Sequence, residues 1–291
     1  MLARSPETHA REWVSSARND PAGLESDPLA WPDLNCHSDK SAMDVTTHTP
    51  GSFCIAVLRT PDVERAAAFY SALVGWTSQE LSGTHGHRLL QFTGRTVASL
   101  HQIAGGSDVW VPHVSVESVE RTTADALALG ATLVDTADVP GLARLATLRD
   151  PEGALFGLWQ PAPHQGAQLT EDVGSLWWIE VLSNNVAGAR EFYRRLFGWT
   201  SVDTSFEPFA SYTVFKRGDV QEGGILPIGR DWEVTPTWNS IFAVDDCNAA
   251  IERAKTIGGS PVFVHTVPKH GRIGSLRDPG GAVFAIRGPV P

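Results

Sequence analysis

A chain of 291 residues, 42% hydrophobic and 19% charged, carries apolar material for about two globular cores at roughly 150 residues per domain. Its net charge of −10 argues against a surface that displaces counterions from nucleic acid or sits on an anionic membrane, and no apolar run nears the roughly 18 residues of a membrane span. Cys36, Cys54 and Cys247 lack CxxC spacing, which excludes a disulfide framework or zinc knuckle; with no apolar signal core near Met1, the chain reads as cytoplasmic.

Residues 1–48 are polar, acidic and broken by Pro6, Pro21, Pro28 and Pro32, as suits an appendage held only if Trp13 and Trp31 dock. Met43 stands just before the first predicted strand and offers an alternative start. Residues 52–58 form a short apolar run that predicts a strand. Asp62 then caps a helix carrying Val63, Ala66, Ala67, Phe69, Tyr70 and Leu73, and Gly75 ends it. Alternating segments follow at 77–81, 87–94 and 95–103. The order recurs at once: strand 110–116, helix 118–129 stopped by Gly130, and strands 132–134, 142–148 and 154–159.

The second half repeats the first. Phe69-Tyr70 and Gly75-Trp76 return 123 residues later as Phe192-Tyr193 and Gly198-Trp199. Asp150-Pro151-Glu152-Gly153-Ala154 returns 128 residues later as Asp278-Pro279-Gly280-Gly281-Ala282. A period this long marks a duplicated domain, not a solenoid of roughly 20–50-residue units. The predicted organisation is an extension over 1–48, a domain over 49–162, a Pro/Gly-containing linker over 163–175 and a second domain over 176–291. The fold class is α+β, with four βαβββ modules in two tandem domains.

These motifs resemble a tandem member of the vicinal oxygen chelate superfamily, which includes glyoxalase I, bleomycin-resistance proteins, fosfomycin-resistance enzymes and extradiol dioxygenases. The likeness covers about residues 52–288. The Trp178-x-Glu180 strand, with Trp110 and Trp238 opening later modules, is similar to a two-domain actinobacterial branch labelled hydroxylase or glyoxalase-like. The resemblance implies that two modules curl around one cavity. It also implies metal ligands in some members: His or Gln on a module's first strand, and Glu on a closing strand. The matching positions here are Ile55, Val111, Gly157, Trp178, Asn239 and Ala285, of which only Asn239 offers even a weak donor. The chain is therefore expected to lack the family's chelate and to need no metal or other cofactor. A rival metal site is a histidine group in domain one, His85, His87, His101 and His113, against the simpler reading of a polar, solvated hairpin around residues 82–87.

Glu180 lies two residues beyond Trp178, so both share one face of a strand. A carboxylate among indoles is desolvated and its pKa rises toward the range useful for acid–base chemistry. Tyr212, Asn239, Arg287, Trp238, Trp110 and His113 are the expected ligand-lining residues. The structural alternative pairs Glu180 with a strand-end arginine such as Arg287. Domain one offers Ile55 and Val57 at the matching positions and is expected to be chemically blunter. Trp76, Trp199 and Cys54 read as packing residues, and His265, His270 and Arg272 as part of a turn. The favoured function is a metal-independent enzyme isomerising, cyclising, eliminating from or hydrating an aromatic or polyketide-like metabolite, as monomer or homodimer. The alternatives are a sequestering binder like the bleomycin-resistance proteins and a metal enzyme built on the domain-one histidines.

Overall fold

The computed structural model describes residues 45–81, 84, 86–206, 208–267 and 271–289. The expected appendage up to residue 44, with Trp13, Trp31 and Met43, and the candidates His85 and His270 lie outside the described residues.

Helix α1 (Val63–Val74) starts at Asp62, whose carboxylate accepts the Arg65 amide, and stops at Gly75, where φ of 78° suits a residue without Cβ. Helix α3 (Val186–Phe197) repeats the design with Asn185 and Gly198. Ser118 caps α2 (Val119–Ala128) and Asp246 caps α4 (Cys247–Thr256).

Domain one is an eight-stranded sheet of β1 (Phe53–Thr60), β2 (Thr77–Glu80), β3 (His87–Phe92), β4 (Arg95–Gln102), β5 (Val109–Ser115), β6 (Thr132–Val139), β7 (Ala143–Arg149) and β8 (Leu155–Pro161). Its order is β2-β3-β4-β1-β5-β8-β7-β6, so the two modules meet at the antiparallel β1–β5 pair. Domain two repeats this order with β9 (Leu176–Ser183), β10 (Thr200–Phe206), β11 (Phe209–Arg217), β12 (Val220–Pro227), β13 (Thr237–Ala243), β14 (Ser260–Val267), β15 (Gly271–Arg277) and β16 (Val283–Gly288). Strand β6 runs beyond its apolar stretch to Val139 because antiparallel pairing with β7 carries it through Asp135 and Asp138.

Strand alternation gives each sheet two apolar faces. One face gathers Ile55, Val57, Leu145 and Trp159 in domain one, and Trp178, Tyr212, Val214 and Ile241 in domain two. The helix-bearing faces are shared between domains. Phe69, Tyr70 and Trp110 pack with Phe242, Ile251 and Phe284, and Val114 and Phe156 pack with Phe192, Tyr193 and Trp238. The segment joining the domains is tied to both: the Ala167 amide donates to the Cys54 carbonyl at 2.8 Å, and the Gly174 amide to Ala243 at 2.9 Å.

Candidate functional site

Register on β9 sets Glu180 between Asn239 of β13 and Gly224 of β12. The Tyr212 hydroxyl donates to Glu180 Oε2 at 3.0 Å, and Asn239 Nδ2 donates to Oε1 at 3.3 Å. Trp178 Nε1 donates to the same Tyr212 oxygen at 2.8 Å. Indole is a donor only, so the phenol proton is directed at the carboxylate and the relay has one polarity. Gly224 makes room for it, since a Cβ there would overlap the Tyr212 hydroxyl. Burial pushes the Glu180 carboxyl above its ordinary pKa, while the Asn239 and Tyr212 bonds pull it back. Burial and the nearby Glu180 charge hold the Tyr212 phenol well above its ordinary pKa.

Arg287 does not supply the hydrogen bonds that orient this carboxylate. Its guanidinium lies over the Trp177 ring at 5.3 Å, and burial lowers its pKa. Ring contacts extend the wall from Tyr212 to Phe206 (5.1 Å), Phe209 (5.4 Å further) and Trp232 (6.3 Å from Phe209). His265 closes the series at right angles to Phe209, 5.7 Å away.

Trp110 and Trp238 do not join this wall, contrary to expectation. Adjacent strand residues face opposite sides, and Asn239 and Ile241 already occupy the inward side of β13. The two indoles turn to the helices and donate to Tyr70 and Tyr193, each at 2.7 Å. His113 turns to the inner face of domain one, against Trp159 and Gly157, and so does not join this wall.

Domain one is not chemically blunt. Continuing the alternation from Ile55 and Val57 leads to Arg59, which the sequence reading missed. Its guanidinium donates to Asp135 Oδ1 at 2.9 Å and to Thr147 Oγ1 at 2.7 Å, tying β1 to β6 and β7 on the far side of the sheet. The Arg59–Asp135 pair holds the Asp135 carboxyl below its ordinary pKa, against a burial contribution of opposite sign. Beside it, the His87 and His101 rings stand 4.3 Å apart. His113 Nδ1 bonds the Val111 carbonyl at 2.9 Å, which assigns that nitrogen the proton. Its ring lies over Gly157, in the space that any side chain at that position would enter. Burial brings His101 and His113 down to about 4.

The family's metal does not fit this donor set. Ile55, Val111, Trp178 and Ala285 are apolar and buried or nearly so, and Gly157 is covered by His113. Among the described residues no three His, Cys, Asp or Glu side chains are grouped to hold a metal ion, and His85, the fourth member of the rival histidine site, lies outside them. Nor is any described helix long and apolar enough to cross a membrane.

Comparison with known proteins bears on the family and the fold. A glyoxalase-like domain family matches residues 54–159. The anthracycline biosynthesis protein DnrV of Streptomyces peucetius is 31% identical over 261 residues, spanning 83% of this chain and 94% of that protein. Among solved structures, the Mn(II)-bound glyoxalase from Novosphingobium aromaticivorans has a TM-score of 0.56 at 17% identity, with 83% of each chain covered. The 2,2',3-trihydroxybiphenyl 1,2-dioxygenase of Sphingomonas wittichii strain RW1 has a TM-score of 0.55 at 13% identity, covering 82% of this chain and 90% of that one. Those two likenesses establish the fold, and the Streptomyces relative establishes kinship along most of the chain. The chain belongs to the glyoxalase-like branch of the vicinal oxygen chelate superfamily, as a tandem two-domain member.

Proposed function

We propose that this protein is a metal-independent enzyme of secondary metabolism that moves a proton on an aromatic, polyketide-type metabolite, with Glu180 of domain two as acid or base. One observation carries the reading: a desolvated carboxylate fixed by Tyr212 and Asn239 within an aromatic wall. A relative named for anthracycline biosynthesis supports the substrate class. The apolar residues at the family's metal positions support chemistry without a chelate.

The roles follow from the contacts. Burial raises the carboxyl toward neutrality, so it can both take and return a proton. Tyr212 and Asn239 hold its oxygens in place, and Trp178 fixes the phenol. Trp178, Phe206 and Phe209 give a flat ligand apolar surface. Isomerisation, cyclisation, elimination and hydration all begin or end with such a transfer.

Glu180→Gln preserves shape and is expected to leave ligand affinity intact while lowering turnover by about 10²-fold or more, the usual scale of general acid–base catalysis. A sequestering binder would show no turnover, and Trp178→Ala would then weaken binding more than Glu180→Gln. Turnover unchanged in Glu180→Gln ends the assignment.

A further inference from the structure

His265 has no role in that mechanism, yet its setting is unusual. It sits on β14 opposite Ile273 of β15, with its ring 4.7 Å from Phe263 and 5.7 Å from Phe209. Both ring nitrogens are shielded from solvent and have no hydrogen-bond partner among the described residues. The same is true of Asn239 Oδ1. Asn239 cannot relieve this by turning over, because the Glu180 carboxylate accepts hydrogen bonds and holds the amide's NH₂ toward itself. Buried polar atoms are rarely left unpaired in folded proteins, and each exception calls for a cause.

The repeat provides an internal control. Domain one has Ala137 opposite Leu145 where domain two has His265 opposite Ile273. It has Val111 opposite Val57 where domain two has Asn239 opposite Glu180. The fold therefore requires neither the imidazole nor the amide. Both occur in the domain that also carries Glu180: ring contacts run from His265 through Phe209 and Phe206 to Tyr212, which shares the Glu180 carboxylate with Asn239. Burial, with Arg272 nearby, lowers His265 to about 4, so at neutral pH it offers one N–H and one lone pair.

We infer that Asn239 and His265 are the two polar recognition points of domain two, selecting a planar aromatic ligand with a hydroxyl at one end and a carbonyl at the other. The hydroxyl donates to Asn239 Oδ1 beside the acid–base carboxylate, and the carbonyl accepts from the His265 N–H. The inference rests on the reading of domain two as the working cavity. It adds the functional groups that the ligand must carry.

The test uses the full chain and three naphthalenes, with binding followed by tryptophan fluorescence. One bears a phenolic hydroxyl on one ring and a methyl ketone on the other. The second is its methyl ether, and the third is isopropylnaphthalene. Wild type should bind the hydroxy-ketone best and the methyl ether about 10-fold more weakly, because the ether cannot donate to Asn239. His265→Phe should weaken the hydroxy-ketone by about 10-fold or more, leave isopropylnaphthalene unchanged, and melt no lower than wild type once an unpaired polar ring is gone. His265→Gln, which keeps a donor and an acceptor, should recover part of the affinity. Hydroxy-ketone affinity unchanged in His265→Phe, or equal affinity of wild type for the phenol and its ether, overturns this inference and leaves the aromatic cavity standing. Failure of wild type to bind any of the three overturns the domain-two reading and this inference together.

Discussion

Tyr193 of domain two donates its hydroxyl hydrogen to Asp150 Oδ2 of domain one at 2.8 Å, and Tyr70 of domain one makes the reciprocal bond to Asp278 at 3.0 Å. The other oxygen of each aspartate accepts two backbone amides of its own turn, Glu152 and Ala154 or Gly280 and Ala282. Trp238 and Trp110 donate to the two tyrosine oxygens. The repeated Phe-Tyr helix and the repeated Asp-Pro-x-Gly turn are thus two halves of one interdomain contact, made twice.

Tyr193→Phe should therefore destabilise the whole molecule. It leaves Asp150 Oδ2 and Trp238 Nε1 without this partner in a buried core, at a cost of about 1–3 kcal/mol. Tyr70→Phe should cost a similar amount. Urea denaturation of wild type should show one cooperative transition, because the helix-side cores are shared between domains. Two separate transitions would contradict that sharing.

The sequence carried the helices and the order of elements along the chain well, since capping residues and glycine stops mark element ends locally. Asp62 and Gly75 bound α1 where the pattern puts them. Partners across the domain boundary were not legible: Tyr70 and Asp278 are 208 residues apart and neither motif points to the other. Trp110 and Trp238 were legible in principle, because placing Val111 and Asn239 inward already turns their neighbours outward. The same alternation leads to Arg59. Asp135 and Phe263 were not accessible that way, since each follows a register shift in an edge strand, and a bulge resets which residues face inward. Glu180 came from alternation with Trp178 and Asn239 from the family resemblance, and the structure brings Glu180 into contact with both Asn239 and the expected lining residue Tyr212.

Arg59 and Asp135 should behave asymmetrically when either is removed. The Arg59 side chain is 8% exposed and that of Asp135 is 38% exposed. Asp135→Asn removes the counter-charge of a buried guanidinium that keeps only neutral acceptors, at a cost of about 1–3 kcal/mol, whereas Arg59→Leu leaves a carboxylate that water reaches and should cost less. Leucine is also what domain two carries at the matching position, Leu182. Chemical denaturation of the two variants checks the order. Turnover in domain two should survive Arg59→Leu, and its loss would move the working site toward domain one.

Acid should loosen domain one. Burial is the main cause lowering His113 from 6.5 to about 4, with Arg59 and His101 adding to it and the Val111 bond and Asp135 opposing. A depressed folded pKa contributes stability that is present above 6.5 and is lost as pH falls through 4. For a side chain this buried the contribution is about 3 kcal/mol. His101 shifts the same way. Asp150 and Asp278 shift upward and partly offset the loss at the acid end. Denaturation midpoints measured between pH 7 and pH 4 should fall in wild type and fall less in His113→Leu. Parallel profiles would show that His113 does not carry the effect.

Tyr212→Phe separates a catalytic Glu180 from a structural one. The phenol donates to the carboxylate and so favours its charged form; without it, burial and Asn239 alone set the balance, and the Glu180 pKa must rise. Whether Glu180 acts as base or acid, the limb of the pH–rate profile that it controls should move to higher pH. As a base it then reaches its active form later on the acid side. As an acid it keeps its proton further into the alkaline side. The direction is the same in both cases, while the limb that moves identifies the role. A turnover profile that keeps both limbs in place in Tyr212→Phe would mean that the titrating group lies elsewhere, and Glu180 would lose its place in the chemistry.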